Sequence, residues 1–333
     1  MAAVSISIVL AWLTYGLIER PIRSRKSSTL RIATLILAMV LIGIAGFSSN
    51  LNGGYRSRQL LQNSVPETVT DQFEGPAWRY TSNQICLTQY PFKESADYPI
   101  WFCMKSSEIA PTLIILGNSS ANQLYPAFAL SDRLKQHSVL SIGNCDAARV
   151  YEADIKELIR LNPCSGDRVL HQQQFIDNLI ATSRTIKYAV LDGVGDPSPE
   201  YVPRLKERID FLEENGIRVI VFTPHFQPGY HPKACFARPL KRTAKDCTVP
   251  AGAIETSYEN FKPLIDSISK TNPKVLFFDQ NVFLCHSGKC STVWAGMPLY
   301  RDEYHVSEFG ALEIGKYFTE WAQRELPEML LNP

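Results

Sequence analysis

Residues 111–128, PTLIILGNSSANQLYPAF, run from a short apolar stretch through Gly-Asn-Ser-Ser into a helical pattern. The apolar run predicts a strand, and the turn after it predicts that a helix begins at once. Ser119 in this turn has two interpretations. It is either the cap of the helix, since a side-chain oxygen satisfies free N–H groups of the first turn, or a nucleophile held at the end of a strand.

Four further apolar runs follow along the chain: SVLSIG (138–143), YAVLDGVG (188–195), RVIVFTP (218–224) and KVLFFDQ (274–280). They are continuously apolar, which is typical of strands buried on both faces of a parallel sheet. Amphipathic stretches lie between them, including 199–215, closed by Gly216, and 257–272, closed before Pro273. Residues 111–333 are therefore predicted to form an α/β domain with a doubly wound parallel sheet of five strands.

The composition is that of a protein with a full hydrophobic core. The 333 residues are 45% hydrophobic and 20% charged, with 34 basic and 33 acidic side chains and a formal net charge of +1. Such a balance provides no electrostatic attraction for nucleic acid, so no nucleic-acid partner is predicted.

Eight cysteines fall into four pairs of near neighbours: Cys86 and Cys103, Cys145 and Cys164, Cys235 and Cys247, Cys285 and Cys290. This spacing predicts local disulfides in an oxidising compartment, although spacing alone leaves the connectivity open. A metal site at CHSGKC (285–290) is the alternative. It is disfavoured because structural zinc needs four ligands and no second ligand pair lies nearby, so no metal is predicted.

The N-terminal segment predicts a membrane hairpin over residues 1–47. Two uncharged apolar runs, 2–18 and 32–47, are each slightly shorter than the ~20 residues that span a bilayer. The loop between them contains five basic residues and one acidic one: Arg20, Arg23, Arg25, Lys26, Arg31 and Glu19. The positive-inside rule places this loop in the cytoplasm and residue 48 onward on the far side. A signal peptide is disfavoured because no small-residue cleavage site follows.

Residues 48–110 are polar and rich in turns, and they are predicted to form an extracytoplasmic extension or linker. Tyrosine and tryptophan are frequent in this segment. They either form a surface on which sugars stack or pack the extension onto the main domain.

Sites in doubly wound sheets form where loops leave the carboxyl ends of the strands, and Ser119 lies there. Its partner is sought among the histidines. His225 follows the fourth strand and is predicted to line a pocket. His305 lies just before the last helix, for which Ser307 is the predicted N-cap. Asp302, three residues earlier, either holds one imidazole nitrogen so that the other takes a proton from a serine, or simply pairs with His305 at the surface.

These blocks resemble known families. GNSS (117–120), followed by D-x-x-H (302–305), resembles the SGNH (GDSL-type) hydrolase superfamily, whose first block is G-D-S and last block D-x-x-H. WLTYGLIERPIR (12–23) resembles the end of the last membrane helix of the acyltransferase-3 family. TPHFQPGYHPKACFAR (223–238) and LCHSGKC…GMPLYRDEYHVSEFGA (284–311) resemble the SGNH domains fused to acyltransferase-3 proteins of the O-antigen acetylase type. The resemblance implies a flavodoxin-like SGNH fold and only the end of that membrane domain.

The resemblance also implies catalytic roles. Ser119 is the nucleophile, His305 the general base and Asp302 the orienting acid, with Asp279 at the end of the fifth strand in reserve. Two residues depart from the family pattern, Asn118 and Gly195. Asn118 replaces the first-block Asp and is assigned, with His225, to the substrate-lining residues.

The implied oxyanion hole consists of the backbone N–H groups of Ser119 and Gly143, with Gly195 at the third position. That third block is G-x-N-D in the superfamily and GVGD (193–196) here, so Gly195 stands where a side-chain donor is expected. Loss of such a donor costs roughly 2 to 4 kcal/mol in other enzymes.

The implied function is O-acylation, with acetyl as the expected group, of a surface or periplasmic glycan such as O-antigen. The domain itself is expected to bind no cofactor. Acetyl-CoA would be the ultimate donor through an acyltransferase-3 membrane domain in cis or in trans, and the catalytic domain would face the periplasm from the bacterial inner membrane. A carbohydrate esterase and a non-catalytic glycan-binding module with a vestigial triad are the alternatives.

Overall fold

A computed structural model of the chain describes residues 2–20, 29–52, 54, 66–73, 78–155, 157–194, 198–236, 244–286 and 289–331. The chain divides into two compact units, residues 1–63 and 64–333. Most of the predicted basic loop between residues 20 and 31 lies outside the described residues, as does Gly195.

The first unit is helical. Helix α1 (Ala2–Thr14) continues as a π-helical turn (Tyr15–Glu19), and α2 spans Thr29–Leu51. Within α2, Ile32–Leu51 is long and apolar enough to cross a membrane, and the apolar stretch Val4–Leu17 is shorter. By length and composition, Ile32–Leu51 of α2 matches the hydrocarbon core of a bilayer, which is about 30 Å thick.

The second unit is built on a six-stranded sheet with the order β1-β3-β2-β4-β5-β6. Its strands are β1 (Cys103–Lys105), β2 (Leu113–Gly117), β3 (Val139–Ile142), β4 (Tyr188–Asp192), β5 (Arg218–Phe222) and β6 (Leu276–Phe278). The five parallel strands β2 to β6 confirm the prediction. The edge strand β1, antiparallel to β3 with Cys103 opposite Ile142, was not predicted, because three residues in a turn-rich segment carry no periodic signal.

The helices and short hairpins surround this sheet. The helices are α3 (Glu67–Thr70), α4 (Gln84–Gln89), α5 (Ser119–Asn122), α6 (Tyr125–Ala129), α7 (Arg168–Thr182), α8 (Tyr201–Glu214), α9 (Ala251–Thr271), α10 (Glu308–Glu325) and α11 (Pro327–Leu331). Short 3₁₀ helices span Lys93–Asp97, Glu152–Asp154, Pro232–Cys235 and Gln280–Leu284. Two hairpins pair β7 (Cys285–His286) with β8 (Lys289–Cys290) and β9 (Val293–Trp294) with β10 (Met297–Pro298).

Two hydrophobic cores lie on opposite faces of the sheet, because successive strand residues point to opposite sides. Ile115 belongs to the core that contains Phe128 of α6 and Phe318 of α10. Its neighbour Ile114 belongs to the core formed with α7, α8 and α9, which includes Leu205. The doubly wound arrangement predicted from the sequence is therefore confirmed.

Residues 78–110 of the segment predicted as an extension pack against this sheet. They contribute β1, and their aromatic residues Trp78, Phe92 and Trp101 are buried. The packing interpretation of the aromatic residues therefore holds for these three. Strand β1, which lies within the predicted extension, thus belongs to the main sheet, and the boundaries predicted at 47 and 110 stay a prediction.

All four predicted disulfides are present, and they join the neighbouring cysteines in the order expected: Cys86 with Cys103, Cys145 with Cys164, Cys235 with Cys247 and Cys285 with Cys290. The first joins α4 to β1. The second and third close loops that follow β3 and β5 at the carboxyl edge of the sheet, and the fourth closes the β7–β8 hairpin.

Candidate active site

The turn between β2 and α5 holds Ser119 at the carboxyl edge of the sheet. Gly117 has φ +141°, and a Cβ there would lie 2.0 Å from the carbonyl oxygen of Asp192, so only glycine lets the strands approach this closely. Asn118 is the N-cap of α5, since its side-chain oxygen accepts the Ser120 N–H at 2.9 Å. The capping role that the sequence left open for Ser119 thus belongs to Asn118.

Ser119, His305 and Asp302 form one hydrogen-bonded chain. His305 Nε2 lies 2.8 Å from Ser119 Oγ, and His305 Nδ1 lies 2.9 and 3.0 Å from the two Asp302 oxygens. Ser307 caps α10 as predicted by accepting the Gly310 N–H at 2.9 Å, which places His305 two residues before the helix cap. A carboxylate on Nδ1 favours the tautomer with a proton on Nδ1, so the lone pair of Nε2 faces the serine hydroxyl.

The carboxylate of Asp302 is held in its ionised form. Burial by itself raises the pKa of Asp302, but the hydrogen bond and charge of His305, together with two backbone N–H groups, outweigh it and lower the pKa to about 2. The backbone donors are those of Tyr304 and His305, each 2.8 Å from Asp302 Oδ1. The side chains of His305 and Asp302 remain 16% and 21% exposed, so the site is open to solvent and to substrate.

The structure describes two of the three residues predicted to form an oxyanion hole. The Ser119 N–H is in the first turn of α5, where backbone N–H groups have no intrahelical acceptor. The Gly143 N–H donates instead to the carbonyl of Phe102 at 3.1 Å, because the antiparallel strand β1 extends its pairing with β3 by one residue. The prediction that Gly143 donates to the oxyanion is therefore wrong in this structure, and Gly195 lies outside the described residues.

Asn118 links the turn that holds Ser119 to the end of β4. Its side-chain nitrogen donates to the Gly193 carbonyl at 3.3 Å, and the Gly193 N–H in turn donates to Asp192 Oδ1 at 2.6 Å. Burial raises the pKa of Asp192 to about 7, although the N–H groups of Gly193 and of the Gln280 side chain, 3.1 Å away, act in the opposite direction. Asn118 thus has a structural role in the turn that holds Ser119, and its place beside the substrate stays a prediction.

Two further predicted residues lie outside the site. His225 is buried and bonds to the Tyr304 carbonyl at 2.6 Å, which contradicts the prediction that it lines the substrate pocket. Asp279, the reserve acid, accepts hydrogen bonds from the Thr223 hydroxyl at 3.1 Å and the Asn281 N–H at 3.0 Å. It caps the 3₁₀ helix Gln280–Leu284, and Asp302 is the carboxylate that contacts the imidazole.

Trp78 of the extension connects both halves of the site, and the sequence did not single it out. Its indole N–H donates to Asn122 Oδ1 on α5 at 2.8 Å. The guanidinium carbon of Arg301 lies over the Trp78 ring, 4.4 Å from the ring centroid. Arg301 directly precedes Asp302 in the sequence. Both partners lie far along the chain from Trp78, so no local pattern could have identified this contact. In the part of the chain that the structure describes, no group of three or more His, Cys, Asp or Glu side chains could hold a metal ion.

A doubly wound α/β domain with serine, histidine and aspartate joined at the carboxyl edge has the architecture of the SGNH hydrolase class. The family model described as an SGNH domain fused to AT3 domains matches residues 86–320, and the chain belongs to this family. The resemblance seen in the sequence is thereby confirmed.

Among solved structures, the chain is similar to the periplasmic domain of a lipopolysaccharide acetyltransferase from Salmonella ser. Paratyphi A. The identity is 14% and the TM-score 0.47, over 64% of this chain and 83% of that chain. Comparison with curated proteins gives no match.

Proposed function

We propose that this protein is an extracytoplasmic O-acyltransferase that carries an acyl group, expected to be acetyl, on Ser119 and passes it to a hydroxyl of a surface or periplasmic glycan. The observation that carries the proposal is the hydrogen-bonded chain from Ser119 through His305 to Asp302. Membership of a family whose SGNH domains are fused to AT3 domains supports transfer across a membrane to an external acceptor.

The first half-reaction forms the acyl-enzyme. Ser119 Oγ attacks the acyl carbonyl carbon while its proton moves to His305 Nε2, and Asp302 stabilises the resulting imidazolium. The Ser119 N–H is the donor available to the oxyanion. When the tetrahedral intermediate collapses, the leaving group departs with the proton from His305, and the acyl ester remains on Ser119.

The second half-reaction releases the acyl group. A sugar hydroxyl attacks the acyl carbon and gives its proton to His305 Nε2. The intermediate then expels Ser119 Oγ, which recovers the proton, and the product is an O-acylated sugar. Water in place of the sugar would make the protein a carbohydrate esterase. The 16% exposure of the His305 side chain supports this second candidate, because water reaches the base.

The donor side of the reaction requires a membrane domain. Acetyl-CoA is cytoplasmic, so an acyl group must cross the bilayer before it reaches Ser119. We assign residues 1–47 to a hairpin that ends an acyltransferase-3 membrane domain and anchors the protein in the bacterial inner membrane, with residues 48–110 as an extension and the SGNH domain in the periplasm. The membrane domain acts in cis or in trans, and the SGNH domain binds no cofactor of its own.

A fluorophosphonate probe tests for an activated serine. The wild type and the matched control Ser120→Ala should be labelled, because the Ser120 side chain takes no part in the triad. Ser119→Ala should not be labelled. Failure of the wild type to react would indicate a vestigial triad and a glycan-binding module instead.

Vesicle reconstitution distinguishes a transferase from an esterase. Acetyl-CoA is placed inside the vesicles and acceptor glycan outside, and the chain is added with or without the acyltransferase-3 membrane domain. Transfer should require both, while the chain alone should hydrolyse activated esters slowly. Hydrolysis without transfer in the complete system would favour the esterase, and transfer by the chain alone would exclude the need for a membrane domain.

A further inference from the structure

Two buried side chains that the mechanism does not use lie behind the loop that carries His305. Gln123 is fully buried and His225 is 6% exposed. Gln123 Oε1 lies 2.7 Å from the Val306 N–H, and Gln123 Nε2 lies 3.3 Å from His225 Nδ1. His225 Nε2 lies 2.6 Å from the Tyr304 carbonyl oxygen. The two side chains thus form a continuous relay between two backbone groups.

Hydrogen-bond donors and acceptors along this relay match in only one way. The Val306 N–H is a donor, so the Gln123 oxygen must face it and the Gln123 NH₂ must face His225. His225 Nδ1 is then an acceptor, and His225 Nε2 carries the proton that it donates to the Tyr304 carbonyl. A protonated His225 would direct an Nδ1–H at the Gln123 NH₂, donor against donor. The relay is complete only when His225 is neutral.

The two backbone groups belong to the peptide bonds on either side of His305. The Tyr304 carbonyl lies in the peptide that precedes this residue and the Val306 N–H in the peptide that follows it. Gln123 also reaches the nucleophile, since its backbone N–H donates to the Ser119 carbonyl at 3.0 Å. One buried residue therefore connects the backbone of Ser119 with the backbone beside His305.

We propose that Gln123 and His225 are positioning residues that hold the His305 imidazole at hydrogen-bonding distance from Ser119, and that they do so only while His225 is neutral. This inference rests on the proposed function, because the triad is what the relay positions. It differs from the predicted role of His225, which was direct contact with substrate.

The surroundings of His225 favour its neutral form. The pKa of His225 is lowered to about 4, chiefly by burial and to a smaller extent by the nearby His305, while the Tyr304 carbonyl and Asp302 act in the opposite direction. The ring of Tyr300 also faces it, with ring centroids 6.2 Å apart, and burial raises the pKa of that phenol well above its usual range, so it adds no charge. The relay should therefore remain complete between pH 5 and pH 8.

The first experiment reads the tautomer directly and does not depend on activity. The full chain, purified in detergent with ¹⁵N-labelled histidine, is studied by NMR from pH 5 to pH 8, and His225→Phe assigns the signal. His225 should carry its proton on Nε2 and should not titrate in this range. A proton on Nδ1, or a titration midpoint near 6.5, would overturn the proposal.

The second experiment measures the positioning effect by the rate of fluorophosphonate labelling and by kcat and KM for an activated acetyl ester. His225→Phe removes both relay bonds while keeping a ring, and kcat should fall about 10- to 100-fold with KM little changed. His225→Gln, whose amide N–H still faces the Tyr304 carbonyl, should recover much of the loss. The matched control is His137→Phe. His137 is also buried and bonds to a backbone carbonyl, that of Met329 at 2.7 Å, but it contacts Thr112 before the start of β2 and not the loop that carries His305.

Gln123→Glu provides a readout that a purely structural role would not produce. A carboxylate at this position accepts from Val306 and has no donor for His225 Nδ1, so the relay then requires one additional proton, on the imidazole or on the carboxyl group. The fluorophosphonate labelling rate of Gln123→Glu, relative to that of the wild type, should be higher at pH 5.5 than at pH 8. Wild-type kinetics and pH dependence in both His225→Phe and Gln123→Glu would overturn the proposal. An unreactive wild type would instead refute the proposed function, and the NMR result would then decide on the relay.

Discussion

Replacement of Asp302 by Asn tests the orientation of His305, the proposed catalytic base, without removing any side chain. Asp302 Oδ1 accepts the N–H groups of Tyr304 and His305, each at 2.8 Å, and an asparagine oxygen preserves both bonds. The asparagine NH₂ then takes the place of Oδ2, 2.9 Å from His305 Nδ1, and favours the tautomer in which Nδ1 accepts a hydrogen bond. In that tautomer the imidazole proton is on Nε2, so a donor rather than a lone pair faces Ser119 Oγ.

The expected loss follows from this change of tautomer. In a serine-protease triad the same exchange lowers kcat by about 10⁴, which corresponds to about 5.5 kcal/mol. Because the side chains of His305 and Asp302 are 16% and 21% exposed, water stabilises part of the developing charge. We therefore expect Asp302→Asn to lower kcat about 10³- to 10⁴-fold at pH 7, and His305→Ala to lower it further because it removes the base.

The same structure limits the loss of stability. The pKa of Asp302 is about 2 in the folded protein against a reference of 3.8, which corresponds to a stabilisation on the order of 2 kcal/mol. Because the folded pKa is the lower one, this stabilisation is present above pH 4 and is lost as the pH falls towards 2. Asp302→Asn should therefore cost at most about 2 kcal/mol at pH 7, so the protein should remain folded.

The assay compares hydrolysis of an activated acetyl ester, fluorophosphonate labelling and thermal unfolding of the full chain. The matched control is Asp279→Asn, because Asp279 caps a 3₁₀ helix and its bonds go to Thr223 and Asn281. The control should keep its kcat. Wild-type activity in Asp302→Asn, or a comparable loss in Asp279→Asn alone, would refute the assignment of Asp302 as the orienting acid.

Three further predictions concern stability and redox state. Trp78→Phe keeps a ring beneath Arg301 but leaves Asn122 Oδ1 without the indole donor, so urea unfolding should show a loss of about 1 to 3 kcal/mol, and an unchanged midpoint would contradict this contact. Thiol titration of the denatured, unreduced protein should find fewer than one free thiol per chain, whereas eight would contradict the oxidising compartment. Between pH 8 and pH 5 the wild type should lose about 2 kcal/mol relative to His225→Gln, because the unfolded His225 gains a proton near pH 6.5 and the folded one only near 4. Asp192 contributes equally to the free energy of unfolding of both proteins, so its opposite pH dependence cancels in the comparison. If the difference in unfolding free energy between the wild type and His225→Gln were the same at pH 8 and pH 5, a neutral buried His225 would be contradicted.

Features encoded within a few residues were readable from the sequence. The continuous apolar runs identified all five parallel strands, because a strand buried on both faces has no polar position. Ser307 identified the start of α10, since a cap acts on the N–H groups of its own helix. The spacing of Asp302 and His305 also defined half of the triad, because a turn of three residues brings both side chains together. The near-neighbour cysteines paired for the same reason.

Only the tertiary structure decided which distant groups meet. Ser119 and His305 are 186 residues apart, and their 2.8 Å contact depends on the packing of α5 and the loop before α10 at one edge of the sheet. The direction of His225, inward to the Tyr304 carbonyl rather than outward to substrate, depends on Gln123, which is 102 residues away. The Gly143 N–H donates to the Phe102 carbonyl rather than to the predicted oxyanion position, because the three-residue edge strand β1 pairs beside it. Buried polar groups form hydrogen bonds with whichever groups the fold brings next to them. These neighbours are far apart along the chain, so a local sequence pattern does not identify them.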